Sequence, residues 1–160
     1  MDVAQLMVRE VQTCRPEDML NTAARIMWEY DCGCVPVVDA GTRIVGMLTD
    51  RDICMAAYTQ GRALDGISVA QVMSKDVHTC KAEDPIAFAE GIMRAHKVRR
   101  LPVADADGHL LGILSLNDIA RQAARERTRK TKKAVSAAEV ADILGAICEP
   151  RAAADASSAA

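Results

Sequence analysis

Shifted by 66 residues, this sequence lies over itself: the segment 2–53 aligns with 68–119 without a gap, and 20 of the 52 paired residues are identical. Unrelated segments of that length would share about three. Two copies of one unit fold as two like units, so the duplication constrains the architecture before any propensity is considered. One unit has too little surface to bury a core alone, and the two must pack together.

The repetition is not only apolar. Gly46-Met47-Leu48-Thr49-Asp50-Arg51-Asp52-Ile53 returns as Gly112-Ile113-Leu114-Ser115-Leu116-Asn117-Asp118-Ile119, preserving Gly-x-x-(Thr/Ser)-x-x-Asp where an apolar run passes into a helix-like segment. A hydroxyl followed three residues later by a carboxylate at a helix start has two uses. It can cap backbone N–H groups, or it can hold a ligand's phosphate and ribose.

Within each copy the punctuation is clear. Asp2-Val3-Ala4-Gln5 and Ser68-Val69-Ala70-Gln71 place a capping residue three before Gln, predicting short lead-in helices. Val11–Cys14 and Val77–Cys80 read as brief strands. Helical spacing follows at Leu20, Ala23, Ala24, Met27 and Tyr30, and again at Ile86, Ala89, Ile92 and Met93. Val35–Val38 with Arg43–Leu48, and Leu101–Ala104 with His109–Leu114, read as hairpins, and a second helix begins near Asp50 or Asn117. Ser136-Ala137-Ala138-Glu139 opens one further amphipathic helix over Ala137–Cys148, which Pro150 ends.

This gives an α+β chain with repeat 1 over 2–58, a linker over 59–67 and repeat 2 over 68–125. A basic linker over 126–135, a C-terminal helix over 136–149 and a disordered alanine- and serine-rich tail over 150–160 follow.

Composition excludes several functions. Trp28, Tyr30, Tyr58 and Phe88 are the whole aromatic inventory, too few for a platform that stacks single-stranded bases. A net charge of −2 argues against a polyanionic partner for the core. The basic run from Arg121 to Lys133 leaves nucleic-acid association as an alternative, with a solvated helix preferred. No basic, apolar leader opens the sequence and no apolar run nears a membrane span, so a cytoplasmic protein without membrane attachment is expected. The six cysteines then read as reduced thiols, with Cys14 and Cys80 at equivalent core positions. Cys32-Gly33-Cys34 lacks the spacing of a metal site. His78, His96 and His109 are scattered with no nucleophile arrangement around them, so no enzyme is expected.

The tandem copies, the strand-helix-strand-strand-helix order, the (Val/Leu)-Pro-Val-x-Asp before the turn and the Gly-x-x-(Thr/Ser)-x-x-Asp after it together resemble the CBS-domain family, the paired repeats named after cystathionine β-synthase. The likeness covers Asp2 to Arg125. It implies two repeats about a pseudo-twofold axis, clefts that take adenosine-containing ligands, and dimers of such pairs. Carried onto this sequence, it implies that Asp52 and Asp118 accept hydrogen bonds from ribose hydroxyls and that Thr49 and Ser115 lie near phosphate.

A carboxylate's acceptors suit a diol, and helix-start N–H groups suit phosphate. Gly46 and Gly112 would allow close backbone approach. Val11, Thr13, Val35 and Pro36, with Val77, Thr79, Leu101 and Pro102, are the candidate adenine walls. Arg99 and Arg100, whose repeat mates are Gly33 and Cys34, and Arg51, whose mate is Asn117, are the phosphate candidates, so the clefts should differ in charge. The expected protein is a regulatory module needing no cofactor. It senses AMP, ADP, ATP or another adenosyl compound and acts in trans as a homodimer or on an unknown protein target. A ligand-free interaction scaffold is the alternative. The C-terminal helix is the candidate for partner contact.

Overall fold

The computed structural model describes residues 1–126 and 135–149. The expected tail over 150–160, Pro150 and most of the basic linker lie outside the described residues.

Each copy contributes a helix, an antiparallel hairpin and a second helix: α1 (Leu20–Glu29), β1 (Cys34–Val38), β2 (Ile44–Thr49) and α2 (Asp50–Gln60), then α3 (Ile86–His96), β3 (Arg100–Ala104), β4 (Leu110–Ser115) and α4 (Leu116–Glu126). The final helix, α5 (Ala137–Cys148), starts where its capping box places it. The N–H of Ser136 donates to Glu139 Oε2 at 2.6 Å, and the N–H of Glu139 donates to Ser136 Oγ at 3.1 Å. Among the described residues no helix is long and apolar enough to cross a membrane.

The two hairpins share one register. Pro36 faces Met47 and Pro102 faces Ile113, with a bulge one residue further along each first strand. Their turns meet at the pseudo-twofold axis. The Ile44 N–H donates to Gly108 O at 3.0 Å and the Leu110 N–H to Thr42 O at 3.1 Å, a pair that exchanges under the 66-residue shift.

The expected strands over Val11–Cys14 and Val77–Cys80 shrink to one residue each. Cys14 bridges Val37 and Cys80 bridges Val103, both in parallel. Around Cys14 the N–H donates to Pro36 O at 3.2 Å, and Val38 N–H donates to Cys14 O at 3.0 Å. The next rung would need an N–H from Pro36, or from Pro102 in the second copy, and proline has none. Both cysteines are buried as expected. Burial pushes the Cys14 thiol up to about 12 and the Cys80 thiol up to about 11.

The lead-in segments form single 3-10 turns, Val3–Gln5 and Val69–Gln71, and they are exchanged. Val3 and Met7 pack into the core of repeat 2 with Leu101, Leu114 and Ile119, while Ile67 and Val69 pack into the core of repeat 1 with Leu20, Leu48 and Ile53. Backbone bonds secure the exchange: Val3 N–H to Asp84 O at 2.9 Å, and Val69 N–H to Asp18 O at 2.8 Å.

This exchange accounts for Gly46 and Gly112. A Cβ on Gly46 would lie 2.6 Å from Met73 Sδ, and one on Gly112 would lie 2.6 Å from Val8 O. The close approach that these glycines permit is by the other repeat's lead-in segment, where a ligand had been expected. The linker also holds a short 3-10 turn, Leu64–Gly66.

The C-terminal helix, read as a contact for partners, spends its inner face within the chain. Ile143 and Ile147 join the repeat 2 core, and α5 packs on α3 and α4. The face remaining for a partner includes Leu144, which is exposed.

Candidate functional site

Thr49 ends β2 and caps α2. Its N–H and its hydroxyl both donate to Asp52 Oδ2, at 2.9 and 2.7 Å, and the Asp52 N–H donates back to Thr49 Oγ1 at 3.2 Å. The capping use of the motif is therefore realised. It consumes one carboxylate oxygen, and Asp52 Oδ1 has no protein partner among the described residues.

The second copy repeats the cap and then departs from it. Ser115 N–H and Oγ–H donate to Asp118 Oδ2 at 2.8 and 2.5 Å, and the Arg121 guanidinium takes Asp118 Oδ1. Asp118 is only 7% exposed. Arg121 stands where the first copy has Met55, so the pairing that occupies the second carboxylate has no counterpart in the first.

A cavity of about 940 Å³ opens beside the first motif. Repeat 1 supplies Gly33, Cys34, Met47, Thr49, Asp50, Arg51 and Asp52, and repeat 2 supplies Ser74, Asp76, Val77, His78, Lys97, Val98, Arg99, Arg100 and Pro102. The end of the chain adds Ile147 and Glu149. The exchanged lead-in explains the mixture: the Met47–Ser74 bridge ties the segment after the second lead-in to β2, so the motif of one copy shares its cavity with residues of the other.

Seven sequence candidates meet here: Thr49, Arg51, Asp52, Val77, Arg99, Arg100 and Pro102. Thr79 instead lines a neighbouring hollow of about 270 Å³ with Ile44, Lys75 and Asp105. Ser115, Asp118, Val11, Thr13, Val35, Pro36 and Leu101 line neither cavity. Val35 and Leu101 are fully buried core side chains, and Pro36 is buried in β1.

Sequence reasoning missed Lys97, His78, Asp76, Ile147 and Glu149. A signal for Lys97 was present, because its repeat mate is Asp31 and the charge reverses between copies. Ile147 and Glu149 carried none, since the duplication stops before α5.

The cavity is charged but balanced. Arg51, Lys97, Arg99 and Arg100 face Asp50, Asp52, Asp76 and Glu149. Lys97 Nζ pairs with Glu149 Oε2 at 3.2 Å, whereas the guanidinium groups of Arg51, Arg99 and Arg100 make no ion pair among the described residues. A Cβ on Gly33 would come within 3.4 Å of Arg100 and 3.1 Å of Asp50, so a side chain there would crowd the cavity wall. Cys34 is no nucleophile: burial raises its thiol to about 11 despite the pull of Arg100. His78 stacks on His96 with ring centroids 3.5 Å apart.

One group of potential metal ligands, Asp105, Asp107 and His109, gathers at the β3–β4 turn. Its geometry closes that turn. Asp105 Oδ1 accepts from the N–H groups of Asp107 and His109, as Asp39 Oδ1 does from Gly41 and Arg43 in the first copy.

Two segments, residues 3–58 and 69–125, match the CBS domain. The CBS domain-containing protein YhcV of Bacillus subtilis is 37% identical over 119 residues, covering 74% of this chain and 82% of that protein. Among solved structures, CBSX2 in complex with AMP superposes with a TM-score of 0.69 at 26% identity, covering 80% of this chain and 98% of that one. The CBS domain pair of protein MJ0100, in complex with 5′-methylthioadenosine and S-adenosyl-L-methionine, has a TM-score of 0.69 at 22% identity over 76% of this chain and 94% of that one, a likeness of fold. With both copies of the repeat matched, the chain belongs to the CBS-domain family as a tandem pair.

Proposed function

We propose that this protein is a regulatory module that binds an adenine nucleotide or related adenosyl compound in the cavity beside Asp52 and acts in trans through self-association or a protein target. The observation that carries the reading is the difference between the two motifs. Asp52 lines a cavity and keeps one oxygen unpaired, whereas Arg121 occupies the equivalent oxygen of Asp118.

In this reading Asp52 Oδ1 accepts from the ribose hydroxyls. Arg51, Arg99 and Arg100 neutralise phosphate, Thr49 lies nearby at the helix start, and Val77 and Pro102 flank the base. CBSX2, solved with AMP, supports the ligand class. Ser115 and Asp118 then serve structure more than binding, and one molecule binds per chain.

Self-association has a surface to use. Trp28 on α1 and Tyr58 on α2 are 88% and 81% exposed, and Met55 lies on the same helix pair. Their mates in repeat 2, Arg94, Ala124 and Arg121, are exposed too but include no aromatic side chain. A homodimer through α1 and α2 buries Trp28, Tyr58 and Met55. Ligand binding would shift whichever assembly it prefers by its differential affinity.

Thermal shift against AMP, ADP, ATP, S-adenosylmethionine and NAD, with native mass spectrometry of protein purified without added ligand, tests the proposal. A ligand at 100 times its Kd stabilises by about 2.7 kcal/mol. No shift across the panel, and no retained small molecule, would leave the interaction scaffold, a reading that the closed second motif favours.

A further inference from the structure

We infer that α5 is coupled to the Asp52 cavity, so that a phosphorylated ligand there loosens the docked helix whereas an uncharged nucleoside leaves it in place. The inference rests on the reading of this cavity as an adenosyl site and adds how its occupancy is transmitted.

The last turn of α5 is part of the cavity wall, through Ile147 and the adjoining Glu149. Glu149 sits at the carbonyl end of the helix, where the helix dipole already concentrates negative charge and an acidic side chain is unfavourable. The last turn of α5 contains no basic residue. The countercharge comes from across the cavity, from Lys97 at the end of α3, 3.2 Å from the Glu149 carboxylate. Lys97 therefore holds the end of α5 and lines the cavity.

A phosphate bound beside Arg99 and Arg100 competes for that ammonium. It also brings negative charge against the Glu149 carboxylate and the helix end. Both effects oppose docking of the last turn. A nucleoside that places only base and ribose in the cavity has no such charge.

The last turn of the docked helix is the part that the cavity can loosen. Ile143 and Ile147 are buried, but Leu144 is 46% exposed, and twelve residues are too few to hold a helix well in isolation. The device is one-sided, because the mate of Lys97 is Asp31. By linkage, weakening the docked end of α5 must tighten phosphate binding in return.

Hydrogen exchange of the full chain, with AMP and adenosine as probes, tests this, together with calorimetric titration of both into the wild type and Glu149→Gln. The Glu149 side chain is 68% exposed, so the substitution leaves the fold intact. Saturating AMP is expected to speed exchange of the α5 amides several-fold, and adenosine to leave them unchanged. Glu149→Gln is expected to bind AMP about 3-fold more tightly, the scale of an exposed ion pair, with adenosine affinity unaltered. AMP that binds with α5 exchange unchanged or slowed, or a Glu149→Gln effect equal for both probes, overturns the coupling alone. No binding of either probe overturns the coupling and the functional reading together.

Discussion

Glu90 on α3 is a buried carboxylate, 4% exposed, and its Oε1 has no hydrogen-bond partner among the described residues. Its repeat mate is Ala24, so the fold does not require an acid there. Burial raises its pKa above the ordinary 4.5, the Glu139 carboxylate on α5 raises it further, and Arg94 draws it partly back. An acid whose folded pKa is raised binds its proton more tightly in the native state than in the unfolded one. The contribution of Glu90 to stability is then fully present below about 4.5 and is lost as pH rises through its folded pKa.

Glu90→Gln keeps the shape and removes the charge. An unsatisfied buried polar oxygen costs about 1–3 kcal/mol, and a charged one more. We take the lower part of that range, since Arg94 compensates partially and the amide must itself be buried. The variant should gain about 1–2 kcal/mol at pH 8, or about 2–8 °C in Tm for a chain of this size.

The assay is thermal unfolding of both proteins from pH 4 to pH 8, read as the difference in Tm at each pH. That difference removes terms common to both, including the bond between Ser136 and Glu139. The Glu139 pKa is lowered, chiefly by the N–H of Ser136, so its contribution is lost as pH falls. The Glu90→Gln gain should shrink towards zero near pH 4. A gain of equal size at pH 4 and pH 8, or a loss at pH 8, would refute the reasoning.

Asp52→Asn should weaken AMP binding by about 10-fold or more, the range for a hydrogen bond to a charged group, while Asp118→Asn should change it less than about twofold and lower stability instead; titration calorimetry and urea unfolding separate the two. Gly112→Ala should cost more stability than Gly46→Ala, within the roughly 1–3 kcal/mol of overpacking, because the Cβ of the first meets the Val8 carbonyl and that of the second meets mainly the flexible end of Met73. Urea midpoints decide it. Replacing Trp28 and Tyr58 together by Ala should weaken self-association by about 10-fold or more by analytical ultracentrifugation, with the monomer's Tm little changed. In native protein at pH 8, iodoacetamide should modify the exposed Cys54 and Cys148 and spare Cys14, Cys34 and Cys80, whose thiols burial keeps protonated, as peptide mapping would report.

Much of the architecture was legible because its determinants are local. The hairpins follow from apolar runs separated by turns that open on Asp39 and Asp105, and α5 begins at Ala137 because Ser136 and Glu139, three apart, satisfy each other's backbone donors. The short first strands were misjudged in length. Their apolar pattern was right, but the extent of a parallel bridge depends on the N–H groups of its partner, and that partner residue is proline. The motif and its two uses were legible, but not that the cap takes only one oxygen of the Asp52 carboxylate and leaves the other unpaired.

The sequence alone determined that two like units exist, where their helices and hairpins fall, and which residues repeat. All of these are set by near neighbours along the chain. Tertiary structure decided that the lead-in segments trade places, which sets Val77 and Pro102 opposite Asp52. It also decided that Arg121 closes one carboxylate while the other stays open, and that α5 ends at the cavity. Two copies with the same apolar pattern offer similar local energies to either partner. Only packing across the pseudo-twofold axis, where Gly46 meets Met73 and Gly112 meets Val8, can choose between them.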